Sequence, residues 1–138
     1  TIIKQIQQAG AVLGGSRFNF EILCDDRNIL RRWDSGWKVH GTWSHGEIPD
    51  VSPVSAPLLS VLFLEQAACN RIEPVTDRKE IWRRLLGAII RPLTTADWWR
   101  REMNVIEGIV NEVPCHILRF DSSGEIVRTL SALTERAR

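Results

Sequence analysis

Leu58-Leu-Ser-Val-Leu-Phe-Leu64, followed by Glu65, is an almost wholly apolar run interrupted only by Ser60. The pattern fits a strand buried on both faces, as in a parallel or mixed sheet. Counted from Ala56 it is the chain's best apolar run, yet it falls well short of the roughly 20 residues needed to cross a bilayer. Helical patterning after it, and strand patterning before it, favour an α/β or α+β domain.

Upstream, His40 to Pro57 holds three of the six prolines and two of the three histidines. It reads as a long irregular stretch, of the kind that is usually functional or mobile. Before it, Asn28–Trp33 and Trp37–Val39 flank Asp34-Ser35-Gly36, which predicts a hairpin with glycine at a positive-φ position. Phe18, Phe20, Ile22 and Cys24 alternate, which predicts a strand running into Asp25-Asp26-Arg27. Ala11–Arg17, with Gly14-Gly15-Ser16, reads as a loop. Ile2, Ile3 and Ile6 share one helical face, so the chain starts in a helix that ends near Gly10. The start at Thr1 reads as mid-helix, which leads us to expect a preceding segment.

Downstream, Asp77-x-x-Glu80 resembles a capping box, and Ile81, Leu85, Ala88 and Ile89 follow at helical spacing until Pro92. Thr94 or Thr95 can cap a second helix, about Ala96 to Asn111, stopped by Pro114. Cys115–Phe120 reads as a short strand, Asp121-Ser-Ser-Gly124 as a turn, and Glu125–Ala137 as a closing helix with Ile126, Leu130 and Leu133. The expected organisation is a single domain, 1–138, with a sheet-rich part over 1–75 and a helical tail with one short strand over 76–138.

The 138 residues carry 18 basic and 17 acidic side chains, a net charge of +1. That balance argues against nucleic-acid and membrane-surface partners and leaves a homo-oligomer open. Three cysteines, Cys24, Cys69 and Cys115, contain no C-x-x-C spacing, so they read as small buried side chains in a reducing, cytoplasmic setting.

Asp25-Asp26 is the sharpest chemical feature. Neighbouring residues of a strand face opposite ways, so one carboxylate can face a site at the strand's end while the other holds backbone or metal. Close like charges raise at least one pKa, which suits a general base, and Mg²⁺ also favours one or two carboxylates. An ordinary acidic turn is the plainer alternative. His40-Gly-Thr-Trp-Ser-His45-Gly-Glu47 lacks zinc-helix spacing, though its glycines can let amides approach a phosphate. Glu65 resembles the acid that ends a Walker B strand. Arg78 to Arg101 is basic, and reads either as a solvated helix surface or as a face for an acidic partner. Gly10 to Arg17 has P-loop glycines but follows a helix instead of leading into one, so it should not cradle phosphate.

In their order, "ILCDDR", "WKVHGTWSHGE", "SAPLLSVLFLEQAACNRIEP" and "VPCHILRF" resemble the C-terminal part of the HPr kinase-like proteins, relatives in fold of the phosphoenolpyruvate carboxykinases. The resemblance runs from Thr1 to about Phe120. It implies a mixed sheet of that P-loop fold with helices packed on it, and a P-loop just ahead of Thr1. It implies an ATP-dependent, Mg²⁺-requiring transferase acting on a serine-like hydroxyl of a protein or peptide. Asp26 is the first choice of base, with Asp25 beside it. Glu47, with Asp25, is the metal-ligand candidate. Arg71 would steady charge on the transferred phosphoryl group. "NRIE" stands where the family has "DRLG", and Gly14 to Asn19 look inserted. A non-catalytic partner-binding or nucleotide-sensing relative is the alternative.

Overall fold

The computed structural model describes residues 2–12, 20–91 and 95–130. In chain order its elements are α1 (Ile2–Val12), β1 (Ile29–Trp33), β2 (Gly36–His40), β3 (Ser55–Pro57), β4 (Val61–Gln66), β5 (Arg71–Pro74), α2 (Arg78–Ala88), α3 (Ala96–Glu112) and β6 (Cys115–Phe120). Residues 126–130 are again helical. The architecture is α+β.

The hairpin forms as its turn dictates. Gly36 adopts φ 109°, where a side chain would be strained, and Trp33 pairs with Gly36 at the head of an antiparallel ladder. β3 adds antiparallel to β2, giving a sheet of order β1-β2-β3. The second sheet has order β4-β6-β5 and is mixed: β4 runs parallel to β6, and β5 antiparallel to it. Between the two parallel strands the chain makes β5, α2 and α3. Asp77 caps α2 by accepting the Lys79 amide hydrogen at 3.0 Å, satisfying one of the helix's unpaired donors.

Strand alternation builds two cores. Val61, Phe63 and Cys115 pack on α2 and α3, among Ile81, Leu85, Ile106 and Ile109. Leu62, Ile72, Leu118 and Phe120 face the other way, towards Ile2 and Ile6 of α1 and towards Ile126 and Val127. The mixed sheet is therefore the middle layer between α1 and the α2–α3 pair. Each fully buried branched side chain contributes about 1.5–3 kcal/mol. Trp37 ties the hairpin sheet to the larger core: its indole N–H donates to Glu112 Oε2 at 2.9 Å. Its ring also lies over Gly108, where a Cβ would meet Trp37 Cζ2 at 2.5 Å.

Several expectations change. Residues 20–24 form no strand; their Leu23 carbonyl accepts the Ser52 amide hydrogen at 2.9 Å, and the segment is held by the loop instead of a ladder. The Phe18–Asn19 start of that stretch lies outside the described residues, as do Gly14-Gly15-Ser16, Pro92, Thr94 and Leu133. α1 continues past Gly10 to Val12. Two small sheets stand where one was expected. β4 is an edge strand, so Leu64 is 52% exposed instead of doubly buried. Thr95 caps α3 without a side-chain hydrogen bond, and Glu80 turns to arginines instead of closing a capping box. Cys69 is exposed, while Cys24 and Cys115 are buried, and all three are free thiols. No helix among the described residues is long and apolar enough to cross a membrane.

Candidate functional site

A cleft of about 820 Å³ opens where the amino end of α1 meets the carboxyl ends of β4 and β6. Its walls include Ile2, Ile3 and Gln5 of α1, Asp25, Gln66, and Asp121 just past β6. The carboxyl ends of parallel strands leave such a crevice because the chain departs from them in diverging directions.

Asp25 is fixed by the loop it holds. Its Oδ1 accepts the Gly46 amide hydrogen at 2.6 Å and its Oδ2 accepts that of Ile48 at 2.8 Å. These bonds, Gly46's first, hold its carboxyl below the usual aspartate value. Repulsion from its neighbour was expected to raise a pKa in this pair; for Asp25 the amide hydrogens win, because they stabilise only the ionised form. A Cβ on Gly46 would sit 3.1 Å from Asp25 Oδ2, a tight contact that the carboxylate would have to shift by a few tenths of an ångström to relieve. Asp25 sits at a bend, not at a strand end.

Asp26 is exposed and outside the cleft wall. It pairs with Arg27 Nε at 3.3 Å and accepts from Ser44 Oγ at 3.4 Å. Glu47 is exposed on the same loop and pairs with Lys4 of α1 at 3.4 Å. Gln7 reaches Asp50 at 2.9 Å, so two α1 side chains bind this loop. Below it, the buried Cys24 Sγ lies 2.5 Å from the Ser44 carbonyl oxygen and accepts the Arg27 amide hydrogen at 3.3 Å. His45 is exposed, and His40 packs its ring 6.3 Å from that of Trp33. Among the described residues no three His, Cys, Asp or Glu side chains gather into a metal-binding cluster.

Arg71 and Glu65 belong elsewhere. Arg71 binds Glu73 at 2.8 Å, and Glu73 binds Arg119. Glu65 takes Arg84 at 2.6 Å and Arg119 at 3.2 Å. This network lies on the α2 side of the mixed sheet, so Glu65 is not the cleft's acid. Its strand neighbours Leu64 and Gln66 line the cleft instead.

Gln5, Gln66 and Asp121 are cleft residues that sequence reasoning missed. Alternation along β4 was the available signal for Gln66, and the turn after β6 for Asp121. Asp121 Oδ1 accepts the Ser123 hydroxyl and amide hydrogens, its carbonyl accepts Gln5 Nε2 at 3.0 Å, and its carboxyl is held below the usual value, chiefly by the Ser123 hydroxyl. Gln5 Oε1 is buried with no donor to satisfy it. In comparisons with family models, curated proteins and solved structures, this chain matched none.

Proposed function

We propose that this cleft is the phosphotransfer site of an ATP-dependent, HPr kinase-like transferase acting on a serine-like hydroxyl of a protein or peptide. One observation carries the reading: Asp25 lines the same cleft as the amino end of α1. A carboxylate near a helix amino end is the arrangement that in-line transfer to a hydroxyl needs, with the helix end drawing phosphate charge and the carboxylate orienting the acceptor.

The cleft geometry moves the acceptor-orienting role from Asp26 to Asp25, since Asp26 faces Arg27 at the loop's outer side. A carboxylate already ionised by its amide partners is a weak base. That suffices where the transition state is loose and the proton leaves late. Mg²⁺ fits only as an ion that arrives with phosphate oxygens. Asp25 is the cleft carboxylate such an ion would meet; Glu47, the other candidate, pairs with Lys4 and does not line the cleft, and no closed cage forms among the described residues. When bound, it would supply charge neutralisation between phosphate groups. Gln5 Oε1 offers an unsatisfied acceptor to a ligand's N–H or O–H. The arginine role proposed for position 71 has no support from the cleft, because Arg71 is engaged with Glu73.

A second reading, a non-catalytic nucleotide-sensing or partner-binding relative, is favoured by one specific feature: among the described residues no Lys or Arg lines the cleft. The test is transfer of labelled γ-phosphate from Mg²⁺–ATP to serine-containing peptides, with Mg²⁺–ATP affinity measured alongside by calorimetry. The expected result is phosphoserine formation that Asp25→Asn slows by about 100-fold or more while ATP affinity changes little. Binding without transfer would establish the sensor. Transfer indifferent to Asp25→Asn would remove this cleft from the reaction.

A further inference from the structure

The outer face of the hairpin sheet carries charges that no carboxylate among the described residues answers. On β1 and β2 the residues alternate faces. Arg32 and Trp37 turn inward, and both bond to Glu112. Ile29, Arg31 and Trp33 of β1, with Lys38 and His40 of β2, therefore share the other face. Arg31 and Lys38 are direct cross-strand partners. Like charges set opposite each other destabilise a ladder. Neither forms an ion pair with any carboxylate among the described residues. Lys38 Nζ lies 5.6 Å from the centre of the Trp33 ring, which partly steadies one cation and leaves Arg31 without compensation. On either side of Arg31, Ile29 is 43% and Trp33 48% exposed.

β1 is also an edge strand: among the described residues its only neighbour is β2, so half of its backbone hydrogen-bonding groups face away from the sheet. Native edges are usually blunted by charge, proline or a covering loop. This one presents a pattern instead: apolar, cationic, apolar, at two-residue spacing, with the second cation directly across.

We propose that the β1 edge docks an extended acidic peptide segment that adds a strand to the sheet, placing a carboxylate beside Arg31, on the side away from Lys38, and apolar side chains against Ile29 and Trp33. Strand addition supplies main-chain hydrogen bonds, and the alternating face supplies the specificity. Charge complementarity selects the occupant. A second copy of this chain, paired β1 to β1, would add Arg31 to Arg31 and deepen the repulsion. A nucleic acid or an anionic membrane would gain from two cations in a chain of net charge +1 only a small electrostatic term. The docking surface stands independently of phosphotransfer in the cleft.

The probe is the fluorescein-labelled peptide Ser-Val-Thr-Glu-Thr-Val-Ser, followed by fluorescence anisotropy against the whole chain. Saturable binding is expected. It should weaken by about tenfold or more when the peptide's Glu becomes Gln, when its alternate amides are N-methylated, and in Arg31→Glu protein. Arg31→Glu sets a carboxylate opposite Lys38, so the variant should keep its circular dichroism and melt no lower than the parent. Loss of binding in a protein that is no less stable is what a merely structural residue would not give. The proposal is overturned by an absence of saturable binding, or by binding indifferent to Arg31→Glu or to N-methylation. Tighter binding of a 20-nucleotide RNA or of phosphatidylserine vesicles than of the peptide would also overturn it, as would dimerisation of the chain through this edge in sedimentation.

Discussion

Asp25 accepts amide hydrogens from two residues on either side of Glu47, and so decides the shape of the loop that faces α1. Only the carboxylate can accept both bonds fully, so the clamp is linked to the charge. Its carboxyl lies below the ordinary value of 3.8. A depressed folded-state value means that the clamp's stabilisation is complete above the unfolded value and is lost as pH falls through the lower, folded one. The Gly46 and Ile48 amide resonances should therefore share a titration step with a midpoint below 3.8. Proton–nitrogen correlation spectra across pH 2 to 7 would measure it. A midpoint at or above 3.8, or independent behaviour of the two amides, would mean that the clamp does not exist in solution.

Helix–sheet contact is set by two glycines of opposite consequence. Ala at a helix interior is favoured over Gly by about 1 kcal/mol. At Gly87 of α2 nothing lies within 4 Å of an added Cβ, so Gly87→Ala should stabilise, by up to about 1 kcal/mol. At Gly108 of α3 the same methyl would sit 2.5 Å from a ring atom of the buried Trp37. Overpacking there costs about 1–3 kcal/mol and overrides the propensity gain, so Gly108→Ala should melt at lower temperature. Thermal melts of both variants should move in opposite directions; an equal rise in both would mean that α3 does not close on Trp37. The role of Gly108 was not visible in the chain, because the Trp37 ring that decides it is some 70 positions away. Elements with local punctuation were legible: the hairpin through Asp34-Ser35-Gly36, α2 through Asp77, and β6 between Pro114 and the Asp121 turn. β3 and β5 were missed. Ser55–Pro57 is short and proline-bearing, and Arg71–Pro74 is half charged, so neither carries an alternating apolar signal. Phe20 to Cys24 shows the converse: alternation was present, but no neighbouring strand was there to complete a ladder. At the cleft, the Asp25-Asp26 pair is visible in the chain but not which of the two lines the cleft, and the apolar run does not reveal which parity points to α1, so the place of Glu65 on the α2 side was not legible.

Across the whole molecule, the mixed sheet and its α2 cover are joined by one run of alternating charge: Arg83, Glu80, Arg84, Glu65, Arg119, Glu73 and Arg71. Arg84 is its bridge, donating to Glu80 on its own helix at 2.7 Å and to Glu65 on β4 at 2.6 Å, with its guanidinium centre 5.5 Å from that of the Phe63 ring. Exposed pairs contribute about 0–1 kcal/mol, and breaking fully buried ones costs about 3–5 kcal/mol. Arg84 is one-fifth exposed and its partners about one-third, so the lower middle of that range applies. Arg84→Met, which keeps the stem's packing, should cost about 1–2 kcal/mol at neutral pH. It leaves Glu65 with Arg119 and Glu80 with Arg83, so unfolding should remain cooperative. The pH dependence follows from Glu80, whose carboxyl is pulled from 4.5 to about 2, first by Arg83 and then by Arg84. A group depressed in the folded state stabilises above its unfolded value and loses that contribution as pH falls through the folded one. The gap between parent and Arg84→Met should therefore be constant above about pH 5 and narrow as pH falls from 4.5 through about 2, as Glu65 and Glu80 take up protons. Urea unfolding at a series of pH values would follow it; a gap that widens on acidification would mean that the layers are held by packing alone.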